Sequence, residues 1–193
     1  MIKQHLDEIV FALSLSENPF YQAWNAGTLT KDQLSAYATE YAHFLSLMPI
    51  GWQTVGDSET AHEEEEHAQL WERFSQSLSA KAQDPQHPAT KRLVALTKEL
   101  FAKKSTALGA LYAFEVQQPM TAQSKRRGLA THYAHLHADE AYFEVHEHNE
   151  HEAAKLLAHL EALSSEEQKE AVQACLSMSR ALWDTLVSLH DRT

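Results

Sequence analysis

The sequence predicts an all-α protein, a bundle of seven or eight mostly antiparallel helices, and three observations carry that prediction. Gly and Pro number only 5 each in 193 residues, too few for the turns of a many-stranded sheet, while the good helix formers Ala, Leu, Glu, Gln and Lys abound. Apolar residues recur at helical spacing through most of the chain. Capping signals and breakers interrupt that pattern at short links, so long amphipathic helices pack as antiparallel neighbours. A hydrophobic share of 44% suffices for one buried core, and residues 1–193 read as a single domain without internal repeats.

The elements follow in order. A first helix is expected from about Ile2 to Leu15, with Leu6, Ile9, Val10 and Leu13 on one side. Asn18 caps a short helix that opens on Pro19, a favoured first helical position, and stops at Gly27. Thr30-Lys31-Asp32-Gln33 is a capping box for a long third helix whose inner stripe runs Leu34, Tyr37, Ala38, Tyr41, Leu45, Met48 and Trp52. Gly56-Asp57 breaks and recaps, and a fourth helix spans about Ser58 to Leu78. The run Asp84-Pro85-Gln86-His87-Pro88 is a loop. Beyond it, one long helix is expected from Thr90 to Gln118, stopped by Pro119, then helices over about Ala122–Tyr133 and Ala138–Leu163. Ser165-Glu166-Glu167-Gln168 is a second capping box. It opens the last helix, which carries Val172, Leu176, Leu182, Trp183 and Leu186.

Charge and cysteine content narrow the function. The formal net charge of −11 repels a phosphate backbone, and the densest basic cluster is only Lys125, Arg126 and Arg127, so nucleic acid is excluded as a partner. The single cysteine, Cys175, permits neither an internal disulfide nor a cysteine-based zinc site. The N-terminal segment is polar and amphipathic, and no apolar run reaches 18 residues. The expectation is a soluble cytoplasmic protein with no membrane partner; a homodimer is compatible with it.

The 13 histidines are unusual, and five of them fall between His132 and His148. Helical phase sorts them, because each residue advances about 100° around the axis. Tyr142, Val145, Asn149, Ala153, Leu156, Leu157 and Leu160 define one stripe that contains His146, with Glu150 at its edge. His148 and His151 fall on the opposite face. On the fourth helix, His67 shares the apolar face of Leu70, Trp71, Phe74 and Leu78; Glu63 and Glu64 straddle the same line, and Glu65 and Glu66 turn away. Glu115 sits among Leu111, Tyr112, Ala113, Phe114 and Val116, company in which a carboxylate is either paired or bound to something. Carboxylates and imidazoles from several bundle helices, with no thiolate, are a set that iron or manganese selects.

Several segments, in order and spacing, resemble the heme-oxygenase-like helical family. These are Asn18-Pro19-Phe20-Tyr21-Gln22-Ala23-Trp24, His67-Ala68-Gln69-Leu70-Trp71, Tyr112-Ala113-Phe114-Glu115 continuing to Pro119 and Lys125, Tyr142-Phe143 before His146, and Ala181-Leu182-Trp183. That family includes the TenA thiaminases, pyrroloquinoline-quinone synthase and the Chlamydia protein associating with death domains; the last branch, of di-iron oxidases, is the most similar. The resemblance implies a heme-oxygenase-like fold and a metal site containing His67, Glu115 and His146, with Glu150 in place of an Asp. Thr60 and Ala153 stand where that branch has a Glu and a His. Glu63, Glu64 or Glu59 lies near the first of these, whereas His151 points about 140° away from His146. The implied chemistry is iron-dependent oxidation, with one or two ions (manganese being the other candidate) and dioxygen as co-substrate, acting on a small molecule in the bundle cavity. A metal-free enzyme or small-molecule binder is the alternative. Members of this branch implicated in making 4-aminobenzoate consume one of their own tyrosines; Tyr21 matches that tyrosine, Lys125 matches a functional lysine, and Phe114 replaces a further tyrosine.

Overall fold

The computed structural model describes residues 2–80 and 84–191. Its eleven α-helices are α1 (Ile2–Ala12), α2 (Pro19–Ala26), α3 (Lys31–Leu45), α4 (Met48–Val55), α5 (Ser58–Ser77), α6 (Pro88–Leu100), α7 (Lys104–Glu115), α8 (Gln118–His132), α9 (Ala141–His146), α10 (Glu150–Glu161) and α11 (Ser165–His190). Two 3₁₀ turns, Leu15–Glu17 and Ala134–Leu136, complete them. The junctions α3–α4, α4–α5 and α7–α8 are two residues long, and α6–α7, α9–α10 and α10–α11 are three. No described helix is long and apolar enough to cross a membrane.

Local chemistry starts and stops these helices as the sequence predicts, with small shifts. Asn18 Oδ1 accepts the Phe20 N–H at 3.0 Å ahead of Pro19, and the Asn18 amide donates to the Trp183 carbonyl, tying α2 to α11. The Thr30–Gln33 capping box is complete. Gly27 and Gly56 close α2 and α4 in the left-handed region, and Asp57 then caps α5 by accepting from Thr60 N–H. The second capping box is one residue earlier than expected, between Ser164 and Glu167.

The expected Thr90–Gln118 helix is broken at Phe101–Lys103, where Lys103 is extended. The break is stabilised by hydroxyls: Thr54 donates to the Phe101 carbonyl at 2.9 Å, and Thr106 donates to the carbonyls of Leu100 and Lys103. The kink lets α7 turn into the centre of the bundle. Every residue from Ala107 to Glu115 is buried. Gly109 permits the closest approach, since a Cβ there would stand 1.9 Å from the Ala171 carbonyl oxygen of α11. Around α7 the core is aromatic on one side, with Tyr37, Tyr41, Trp71, Phe74, Tyr142 and Phe143 in mutual edge and tilted contacts.

Candidate metal centre

Each polar side chain in the interior is delivered by a specific helix. Glu64 and His67 lie three residues apart on α5, so both face the same way. His67 Nδ1 is 3.0 Å from Glu64 Oε1, with Glu64 buried and His67 mostly so. Glu63 is half-buried at the rim, while Glu59, Glu65 and Glu66 are exposed. Glu115 is the last residue of α7 and inherits that helix's burial. His146 is the last residue of α9, stacked on Tyr142 at 4.1 Å between ring centroids, with its Nδ1 2.7 Å from the Tyr142 carbonyl oxygen. A carbonyl cannot donate, so that nitrogen carries the proton and Nε2 presents its lone pair.

Glu150 does not join them; it is exposed in the first turn of α10. The expectation failed because it carried the phase of His146 through one continuous helix, whereas the chain breaks at residues 147–149 and α10 starts with its own phase. Glu152 takes the interior position, with 0% exposure. Its signal was present in α10 alone: Glu152 lies one turn before Leu156, which lies one turn before Leu160, and all three are buried. His148 and His151 are exposed, as the phase predicts.

Two sets of three potential ligand atoms converge. Glu64, His67 and His146 offer atoms within 4.8 Å of one another, as do Glu64, Glu115 and Glu152, so Glu64 is common to both. The His67 and His146 rings meet edge to face at 4.5 Å. Five atoms in this cluster are buried without a hydrogen-bond partner among the described residues: both carboxylate oxygens of Glu115, both of Glu152, and His146 Nε2. The Trp52 indole and the Asn149 amide stand beside the two carboxyls, yet neither closes a hydrogen bond of ordinary length and angle.

Burial and mutual proximity shift the ionisable groups of this cluster. Burial raises the Glu115 carboxyl well above its usual range, and the neighbouring charges of Glu152 and Glu64 push it further. Glu152 is raised to about 7 by burial and by Glu64. Burial and the proximity of His67 lower His146 to about 3, so it is neutral at physiological pH. Burial opposes protonation of His67, but Glu64 outweighs it and the net effect is a rise. Carboxylates crowded in a dry site either share protons or share a metal. Three carboxylates, a neutral imidazole with a free lone pair and a second imidazole fit one or two first-row divalent ions.

The positions where the resemblance implies two further ligands are used otherwise. Thr60 is fully buried; its hydroxyl donates to Asp57 at 2.8 Å and accepts from Lys155 Nζ at 2.7 Å. Ala153 is half-buried on α10 next to Glu152. Glu64, one turn beyond Thr60, supplies the carboxylate on α5.

Tyr21 and Lys125 lie together on the aromatic side of the core. Tyr21 on α2 is 3.3 Å from the Tyr37 hydroxyl, and Lys125 on α8 has its ammonium nitrogen 4.4 Å from the Tyr21 ring centroid. Burial alone brings the Lys125 amine down to about 7. Its helix is held by Trp24, whose indole N–H donates to the Lys125 carbonyl at 3.1 Å through the space that Gly128 leaves open. The Lys125 charge reaches His146 and contributes to its low pKa. Cys175 is a buried core residue of α11, its thiol pushed up to about 12 by burial.

The fold and this carboxylate–histidine core define a heme-oxygenase-like helical protein. Solved structures of that shape include a TenA homologue from Pseudomonas syringae (TM-score 0.77, 15% identity, 100% of this chain and 92% of the other). A domain with a heme oxygenase-like fold from Shewanella denitrificans aligns with TM-score 0.69 and 20% identity over 98% and 89% of the two chains. A CADD-like protein from Nostoc punctiforme aligns with TM-score 0.61 and 17% identity over 100% and 96%. No family model matches the sequence. Among characterised sequences, a 4-aminobenzoate synthase from Nitrosomonas europaea is 30% identical over 98% of this chain and 91% of its own length. One from Chlamydia muridarum is 28% identical over 95% and 87%. The chain belongs to the 4-aminobenzoate synthase family.

Proposed function

We propose that this chain is a metal-dependent oxidase that forms 4-aminobenzoate, the product named in its relatives, using Tyr21 and Lys125 as its own organic reactants. The observation that carries the reading is the set of five unpartnered buried ligand atoms on Glu115, Glu152 and His146, gathered around Glu64. Glu64, His67 and His146 would hold one ion; Glu64, Glu115 and Glu152 would hold the other. Such ions, iron or manganese, supply the one-electron oxidising chemistry of dioxygen.

The chain's own groups account for the rest. Tyr142 orients His146 through its carbonyl and its stacked ring. The Tyr37 hydroxyl holds the Tyr21 phenol, whose burial keeps it protonated. With its amine near 7, Lys125 is partly neutral at physiological pH and therefore nucleophilic, facing the aromatic ring that a product of this kind requires. Burial of all of these excludes bulk water from a reactive ring.

A second reading, turnover of a small molecule, has one observation in its favour. An apolar groove of about 330 Å³ between α3 and α5 is walled by Ala38, Ala42, Ala68 and Trp71, and Trp71 also packs on Tyr142 at 4.8 Å.

The test is anaerobic reconstitution of the metal-free chain with ferrous and manganous ions, elemental analysis, and then exposure to dioxygen. The expected result is up to two equivalents of metal, 4-aminobenzoate in solution, and a mass loss mapping to the peptide containing Tyr21. The Lys125 side chain should be converted to its aldehyde, as its Cε–Nζ bond breaks, its nitrogen becomes the product amine and dioxygen takes the electrons. His146→Ala should abolish tight binding, and Tyr21→Phe should abolish product while retaining metal. Metal uptake with no change in chain mass favours the groove substrate. No uptake of either ion returns the chain to a metal-free role in acid–base chemistry or ligand binding.

A further inference from the structure

Glu63, His151 and Glu152 form a third convergent set on the solvent side of the interior cluster, again with one ligand atom from each within 4.8 Å of the others. Exposure falls in steps across it: His151 is exposed, Glu63 half-buried and Glu152 fully buried. The buried member is the informative one, because both Glu152 oxygens lack a hydrogen-bond partner among the described residues, and Glu152 also belongs to the inner set with Glu64 and Glu115. Successive sets thus share one carboxylate each. Glu152 links the rim to the middle position, and Glu64 links the middle position to the two histidines.

We propose that Glu63, His151 and Glu152 are a loading site that captures a divalent first-row transition ion from solvent and hands it inward through Glu152. This rests on the metal-dependent reading of the interior. Two carboxylates and one imidazole suit Mn²⁺, Fe²⁺ or Co²⁺, with the remaining positions left to water. An ion held by Glu152 at the rim can exchange onto Glu64 and Glu115 by movement of one side chain, without ever losing all its protein ligands. The nearest competing cation on α10, Lys155, is already engaged by Asp57 at 3.3 Å and by Thr60. The net charge of −11 draws cations toward the surface in general, and the rim gives them a specific point of capture.

The experiment uses the metal-free full-length chain and Co²⁺ as the probe, mixed rapidly and followed by its visible absorption, with the final stoichiometry measured separately. His151→Ala and Glu63→Gln should each slow filling of the interior at least tenfold, the lower end of what charge focusing contributes to capture, and leave the final interior occupancy unchanged. Glu63→Asp, which keeps the charge, should restore most of the rate. Filling at the wild-type rate in both variants overturns the loading role, whatever the final stoichiometry. If the wild-type chain takes up no Co²⁺ at all, the interior reading falls together with this one; loss of the rate effect alone leaves the interior reading standing.

Discussion

At the scale of single residues, Glu152 is fully buried and neither of its carboxylate oxygens has a hydrogen-bond partner among the described residues. Its carboxyl is raised to about 7 in the folded chain against 4.5 ordinarily, so the folded state holds this proton more tightly than the unfolded state. The associated stability is fully present below pH 4.5 and is lost as the pH rises through about 7. Glu152→Gln, neutral at every pH, should therefore leave the metal-free chain's stability unchanged near pH 4.5 and raise it at pH 8, by on the order of 2–3 kcal/mol. Denaturant titration at the two pH values checks this; an equal effect at both would show that Glu152 is not a buried acid. With Mn²⁺ present the order should invert, because the variant has lost a ligand. Glu150→Gln, at an exposed position, should do neither.

At the scale of elements, the centre depends on two short helical pieces held by contacts outside it. Helix α9 has six residues and would be marginal alone. Arg126, next to Lys125 on α8, reaches three carboxylates along or beside it: Glu140 at 3.5 Å, Glu144 at 3.9 Å, and Glu147 by hydrogen bond. It thereby fixes the helix that carries His146 against the helix that carries Lys125. Arg126→Gln should weaken metal binding about tenfold, the scale expected when a supporting contact of a ligand is lost, with the helical content preserved. Equilibrium titration with Mn²⁺, alongside circular dichroism, measures both. Helix α7 carries Glu115 at its end and is pressed against α11 at Gly109. Gly109→Ala should cost about 3 kcal/mol through overpacking, measured as a lowered denaturation midpoint at constant slope.

At the scale of the whole molecule, the proposed metal site would couple binding to folding, since Glu64, His67, Glu115, His146 and Glu152 come from α5, α7, α9 and α10 and meet only in the folded chain. An ion that binds this arrangement and not the unfolded chain should stabilise it by about 2.7 kcal/mol at a free concentration one hundred times its dissociation constant. Thermal unfolding with and without Mn²⁺ reads this directly, and Ca²⁺, which prefers sites rich in oxygen ligands over imidazole, should raise the midpoint less. Equal shifts from both ions would mean that the histidines are not involved.

Much of this was legible in the residues themselves. The caps at Asn18, Thr30 and Asp57 and the apolar spacing determined the helices, because capping and burial stripes are local properties of a few consecutive side chains. The same spacing placed His67 and His146 inward and left Glu63 and Glu64 straddling the line, Glu115 was marked by its apolar neighbours, and the segments around Tyr21 and Lys125 pointed to the family. What the tertiary structure decided were the breaks. The kink at Phe101–Lys103 is stabilised by Thr54 from α4, which no local reading of residues 90–118 contains. The turn at residues 147–149 resets the helical phase, so Glu150 faces solvent and Glu152 faces Glu64 and Glu115. Helical phase is reliable only as far as the helix is continuous. Where α10 begins depends on how α9 is clamped by Arg126 and packed on Trp71, contacts between residues far apart in the chain.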